Sequence, residues 1–161
     1  MLVVSDTSPL RGLQVLGLTH LLPLWYGQVV VPTADAAELT VPIAAAGPFP
    51  FAHHPFIRVA APSDLGRVQT LLQQVDKGEA EAIALALELN VTTILMDEVD
   101  GRAVARRLGL SPTGVLGMLV RAKRERLIAA ASPLIERLER EIEFRVSAAL
   151  RESVLRDAGE L

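Results

Sequence analysis

The 161-residue chain contains no cysteine. That excludes a disulfide framework, thiolate metal sites and a cysteine nucleophile, and it is compatible with a reducing compartment. Aromatic residues make up only 4% of the sequence, so few side chains are available to stack on nucleobases. No run of about 20 apolar residues occurs, and the apolar stretch VPIAAAGPFPFA is cut by prolines and a glycine, so a membrane span is not expected. The N-terminus does not read as a secretory signal, because Asp6 and Arg11 interrupt it and no basic segment precedes the apolar stretch. The expectation is a cytoplasmic protein with no membrane partner. A net charge of −3 with 22% charged residues gives no global sign of nucleic-acid binding and leaves room for a local basic face.

What is present is apolar material. Half of the residues are hydrophobic, enough to build one core, and the length suits a single domain spanning 1–161. Short apolar runs at Leu2 to Val4, Gln28 to Val31, Phe56 to Val59 and Thr92 to Met96 read as buried strands. Between them lie helical patterns: Leu10, Leu13 and Leu16 up to Gly17, Ala34 to Leu39, Ser63-Asp64 through Val75, and an Ala/Leu-rich helix from Gly78 to about Leu89. Ser8 is expected to cap the first helix, with Pro9 in its first position. The Pro/Gly/Phe-rich segment 41–55 reads as an irregular loop or mobile flap, with His53 and His54 exposed on it. Further helices are expected over Arg102 to Leu108 and Val115 to about Arg126. The last part, 132–161, is expected to hold helices from Ser132 and Ala148 with a short strand around Phe144 to Val146. Strands joined through helices favour an α/β fold with a parallel sheet, in which ligands gather at the carboxyl ends of the strands.

Four acidic positions stand out against this organisation. Asp6 ends the first strand, in SDTSPL; Glu38 lies beyond the second; Glu79 opens the helix of KGEAEAIALAL; Asp97 follows the fourth strand in TTILMDEVD. Glu79 heads the apolar stripe of Ile83, Ala86 and Leu87, whereas Glu81 points toward the side that carries Glu88. Each has an ordinary explanation: a turn for Asp6, the helix dipole for Glu79, a solvated helix face for Glu38, a helix cap for Asp97. Gathered at one site they would not be ordinary. Two carboxylates about 5 Å apart repel by roughly 3 kcal/mol at an effective dielectric of about 20, so such a cluster raises its pKa values or recruits a cation. Oxygen-only ligands suit Mg²⁺ or Mn²⁺, which can activate water against a phosphodiester.

SDTSPL, VPTADAAEL, DKGEAEAIALALELN and ILMDEVDGRAVARRLGLSPTGVLGMLVRAKRERLI, in this order, resemble the PIN-domain family, and within it the short prokaryotic proteins of the DUF3368 type. The resemblance runs over nearly the whole chain, with 41–55 the least matched part. It implies a three-layer α/β/α sandwich around a central, mainly parallel sheet and an acidic pocket for Mg²⁺ or Mn²⁺. It implies an endoribonuclease, in some relatives a VapC-type toxin restrained by a cognate antitoxin, and often a homodimer. By the same resemblance Asp6, Glu38, Glu79 and Asp97 are the catalytic, metal-holding acids, with Ser8 and Asp100 in support.

Substrate contacts are sought in the one basic segment. Arg102, Arg106 and Arg107 follow the acidic turn and are the candidates for holding RNA phosphates. Arg121, Lys123, Arg124 and Arg126 come soon after, with solvated helix faces as the plainer account. Trp25 and Tyr26 are expected in the core or an interface. Two other readings stay open: a catalytically degenerate PIN-like module that binds RNA or protein, and a phosphoryl-transfer enzyme with Asp6 as nucleophile. No phosphate-cradling glycine loop supports the last.

Overall fold

A computed structural model describes residues Met1–Leu161. Five parallel strands, β1 (Leu2–Ser5), β2 (Gln28–Pro32), β3 (Ile57–Ala60), β4 (Thr93–Leu95) and β5 (Ser111–Thr113), form one sheet in the order β3-β2-β1-β4-β5. Helices cover both faces, as a parallel sheet requires. Alternation along each strand assigns side chains to the two cores. Val3, Val29, Val31 and Leu95 join one apolar cluster, and Val4, Val30 and Ile94 join the other. The first cluster is closed by α1 (Thr7–Leu16), α2 (Leu21–Trp25), α7 (Val115–Arg124), α8 (Ser132–Glu141) and α9 (Ala148–Asp157). The second is closed by α4 (Leu65–Leu71), α5 (Lys77–Glu88) and α6 (Val99–Arg107). Between the layers, α3 (Thr33–Thr40) leans on both α1 and α5. This is the three-layer α/β/α sandwich expected from the sequence.

Three local expectations are corrected. No strand forms at Phe144 to Val146; that segment links α8 to α9 and packs Phe144 and Val146 against the first core. The fifth strand is instead Ser111-Pro112-Thr113, too short and polar to read as one. It survives as an edge strand, where proline is tolerated, held by Ser111 N donating to Thr92 O at 2.7 Å and Met96 N donating to Thr113 O at 3.0 Å. Ser8 does not cap α1: the helix starts at Thr7, Asp6 takes the cap position, and Ser8 lies within the first turn.

Within the irregular segment 41–55 the first part, 41–48, is mostly exposed, and the part around Phe49 and His54 is packed. Phe49 is buried, and a short 3₁₀ turn covers Phe51–His53. His54 is half-buried between Phe49 and Phe56, its ring nitrogens 2.8 Å from Pro50 O and 2.9 Å from Thr19 Oγ1. His53 is exposed. Arg11 supplies the anchor. Buried on α1, it donates to the carbonyls of Glu38, Val41 and Gly47, and so ties the end of α3 to the loop. No carboxylate pairs with it, and burial lowers its pKa. Charged hydrogen bonds of this kind contribute about 2 kcal/mol. Arg11→Met, which keeps an apolar stem, should lose about that much in urea denaturation and expose 41–50 to limited proteolysis; unchanged stability and cleavage would show that the loop is held by its aromatic residues alone.

Candidate functional site

Asp6, Asp35, Asp97 and Glu79 come from four different elements, and each stands at the carboxyl edge of the sheet. β1 is the central strand, and Asp6 N extends its ladder to Leu95 O at 2.9 Å. The next two residues then do separate work. Thr7 Oγ1 donates to Asp35 Oδ1 at 2.8 Å, and Ser8 Oγ donates to Asp97 Oδ2 at 2.9 Å. The hydroxyls beside Asp6 therefore hold its neighbours on either side. The Asp6 and Asp35 carboxyls lie against each other, and both residues are buried, at 6% and 0% exposure. Asp35 Oδ2 is buried with no hydrogen-bond partner.

A glycine makes this approach feasible. A Cβ at Gly78, in the first turn of α5, would stand 2.6 Å from Asp35 Oδ1 and 3.4 Å from Asp6 Oδ1. Only a residue without a side chain lets α5 close over the pair. Gly114 does the same for Asp97: its Cβ would lie 2.6 Å from Asp97 Oδ1 and 3.1 Å from Arg102 Nη1.

Burial raises the pKa of Asp6 to about 10, and the proximity of Asp35 and the charge of Asp76 add to the effect, against the Thr7 amide. Burial likewise raises Asp35, with the charge of Glu38 adding, while the hydroxyl of Thr7 opposes. Glu79 rises to about 7, mainly through burial, with the charges of Asp76, Asp6 and Glu98 contributing. Glu79 also closes a capping box: its N donates to Asp76 Oδ1 at 2.8 Å, and Asp76 N donates to Glu79 Oε2 at 3.1 Å. The helix-start account of Glu79 and the site account both apply. Asp97 caps a helix too, but not the one that follows it. Val115 N, at the start of α7, donates to Asp97 Oδ1 at 2.8 Å. Burial raises Asp97 as well, opposed by that amide and by Ser8.

The other expected residues lie further out. Glu38 is exposed one turn along α3 from Asp35, and Asp35 occupies the place beside Asp6 that was expected of Glu38. Helix phase explains this: Leu39 marks the buried face of α3, and the residue four before it is Asp35. The same phase rule that singles out Glu79 would have found Asp35. Glu81, read as pointing away, is buried at 7% and accepts from Thr33 Oγ1 and Ala34 N, both at 3.2 Å, thereby fastening the start of α3. Asp100 is exposed in the first turn of α6. Arg102 donates to Met96 O at 3.0 Å and shares a cleft with Arg106 and Asp97. Arg107 faces elsewhere, donating to Gln74 Oε1 at 2.6 Å in the groove between α4 and α6.

Whether a divalent cation fits is decided by these donors. No group of three or more His, Asp or Glu side chains stands at metal-holding spacing. Asp6 and Asp35 nevertheless suit Mg²⁺ or Mn²⁺, since Mg²⁺ is commonly held by one or two carboxylates and keeps several waters. The unpartnered Asp35 Oδ2 is a ready ligand atom, and the raised Asp6 carboxyl would release its proton on binding. A third protein ligand would come from Glu79 or Asp97, each of which now accepts a backbone amide.

The raised pKa values set a sign for stability. Asp6 and Glu79 keep protons in the metal-free fold that the unfolded chain has lost. Their contribution is complete below about pH 4. It declines as pH rises through about 7 for Glu79 and on towards about 10 for Asp6. Metal-free protein should melt at a higher temperature near about pH 5 than near about pH 8, and Asp6→Asn should flatten the fall. An identical profile in wild type and variant would contradict the buried pair.

A search of curated proteins finds no match to this sequence. The family profile of DUF3368, described as a PIN domain, matches residues 2–160. PIN domains are generally nucleases and commonly bind divalent metal ions. Because the match takes in nearly every residue, including the strand ends that deliver Asp6 and Asp97, the chain belongs to the DUF3368 group of the PIN-domain family.

Proposed function

We propose that the protein is a Mg²⁺- or Mn²⁺-dependent endoribonuclease of the PIN type. The observation that carries this reading is the buried Asp6–Asp35 pair with its unpartnered Asp35 oxygen, set at the carboxyl edge of the sheet. When bound, the ion supplies positive charge against the phosphodiester and a water of lowered pKa. Asp6 and Asp35 hold it. Glu79, with a pKa of about 7, is suited to exchange a proton at neutral pH. Ser8 and the α7 amide fix the orientation of the Asp97 carboxyl. Glu38, at the exposed rim, adds negative charge next to Asp35. Arg102 and Arg106 neutralise substrate phosphates. In the hydrolysis the water oxygen bonds to phosphorus, the bond to the leaving ribose oxygen breaks, and that oxygen gains a proton.

Asp6→Asn and Asp35→Asn should each abolish saturable Mn²⁺ binding in calorimetry and lower RNA cleavage by about a hundredfold or more, with folding verified by thermal melting. Glu38→Gln should do less. Cleavage by folded Asp6→Asn at the wild-type rate would overturn the reading. A second reading, a binding module without turnover, draws on the engagement of Glu79 and Asp97 with backbone amides. Retained RNA binding with no metal-dependent cleavage by wild type would favour it.

As the toxin of a toxin–antitoxin pair, the protein would have a cognate antitoxin and a second copy of itself as partners. Expression should then arrest growth unless Asp6 is changed to Asn, and sedimentation should give a dimer mass. Normal growth with active enzyme would remove the toxin role and leave the nuclease.

A further inference from the structure

Beside the acids lies a cleft that the proposed chemistry does not by itself require. Its cavity of about 560 Å³ opens between α6, α7 and the 142–147 connector. A second cavity of about 440 Å³ adjoins it and shares Asp97, Val99, Phe144 and Arg145. The two therefore form one groove that passes Asp97 beside Phe144 and Arg145.

The groove is polarised. On the larger side Arg102, Arg106 and Arg145 line the cavity, and none of them is in an ion pair. Arg102 is half-buried and sits close enough to Arg106 for the two charges to oppose each other. Asp97 on the same wall offsets part of the Arg102 charge, whereas Arg106 and Arg145 have no carboxylate paired with them, and guanidiniums left in this way suit an anion. Between them the walls are apolar, with Val99, Leu116 and Phe144. Phe144 is one of only four phenylalanines in the chain, and it is the aromatic residue lining this groove. The connector is fixed in place: Glu143 turns the end of α8 with φ 55°, and Phe144 N donates to Leu138 O at 3.2 Å.

We propose that this cleft binds one unpaired nucleotide of an RNA strand, with Arg102, Arg106 and Arg145 on its phosphates and Phe144 against its base. The class of ligand rests on the ribonuclease reading; the location rests on the groove alone. Phosphates match the three guanidiniums, which are suited to phosphate oxygens. A base matches the apolar wall, because every nucleobase has a face that stacks on an aromatic ring. A duplex keeps its bases stacked inside, so only single-stranded RNA can offer both groups to one cleft. An acidic peptide would bring carboxylates toward Asp97 and Glu98, and the base-sized apolar wall would be unused.

The test is binding of a fluorescein-labelled, randomised single-stranded RNA of about ten nucleotides, followed by anisotropy in EDTA, where metal-dependent turnover is absent. Arg145→Ala should weaken binding about tenfold and reduce the slope of log affinity against log salt by about 0.7. Phe144→Leu, which keeps the apolar packing, should weaken it about tenfold, and Phe144→Trp should restore it. Arg58→Ala, an equal charge change on the exposed β3 edge at the far side of the sheet, should leave both quantities unchanged, and a blunt duplex of the same length should bind more weakly. Equal affinity across the variants, preference for the duplex, or no RNA binding by wild type would each overturn the site. Variant-sensitive binding in a protein that never cleaves RNA would keep the site and sink the nuclease. Metal-dependent cleavage with variant-insensitive binding would do the reverse.

Discussion

Two carboxyl groups, Asp6 and Asp35, are held against each other at the end of the central strand, out of water and short of one hydrogen-bond donor. Much of the surrounding geometry follows from that contact. Desolvation opposes charge on both, so the metal-free pair persists by keeping a proton that isolated aspartates would lose. Thr7 supports Asp35 from the same strand end that delivers Asp6. Gly78 removes the one methylene that would keep α5 from closing over them. A buried pair with an unsatisfied oxygen is a poor structural element and a good place for a cation.

The pair is tied to the fold through hydrogen bonds that cross layers. Ser8 reaches Asp97 at the end of the neighbouring strand, and Asp97 in turn caps α7 on the other side of the sheet edge. Glu81 fastens the start of α3, the helix that carries Asp35, and Arg11 fastens its end. The acids are thus not decorations on a finished scaffold. Removing one would loosen a helix terminus as well as a ligand set, which is why conservative amide variants are the informative ones.

Charge outside the acidic cluster is divided between structure and surface. Arg121 lies over the Trp25 ring at 4.6 Å and pairs with Glu125; Lys123 pairs with Glu160; Arg124 donates to Asp157 O. This half of the basic segment is absorbed in joining α7 to α2 and to the C-terminal turn. Arg106 is not absorbed in this way and Arg102 only in part, through Met96 O, and Arg145 lines the same cavity from a distant part of the chain.

What the sequence determined by itself is the layered α/β architecture and most of its inventory. Short apolar runs and helical spacing are local patterns, so four of the five strands, the helix order and the positions of Asp6, Glu79 and Asp97 at element ends were legible in it. Asp35 was legible in principle, four residues before the buried Leu39, but Glu38 stood in the more conspicuous place. Only the tertiary structure decided the rest. The strand at Ser111–Thr113 exists because β4 offers it a ladder, not because its residues favour one. Asp97 caps α7 rather than α6 because the chain returns there eighteen residues later. Arg145 lines the same cavity as Arg102 because α8 packs Ile135 and Leu138 into the core and brings the connector back to the sheet edge. Such contacts depend on where distant segments come to rest, and no window of neighbouring residues carries that information.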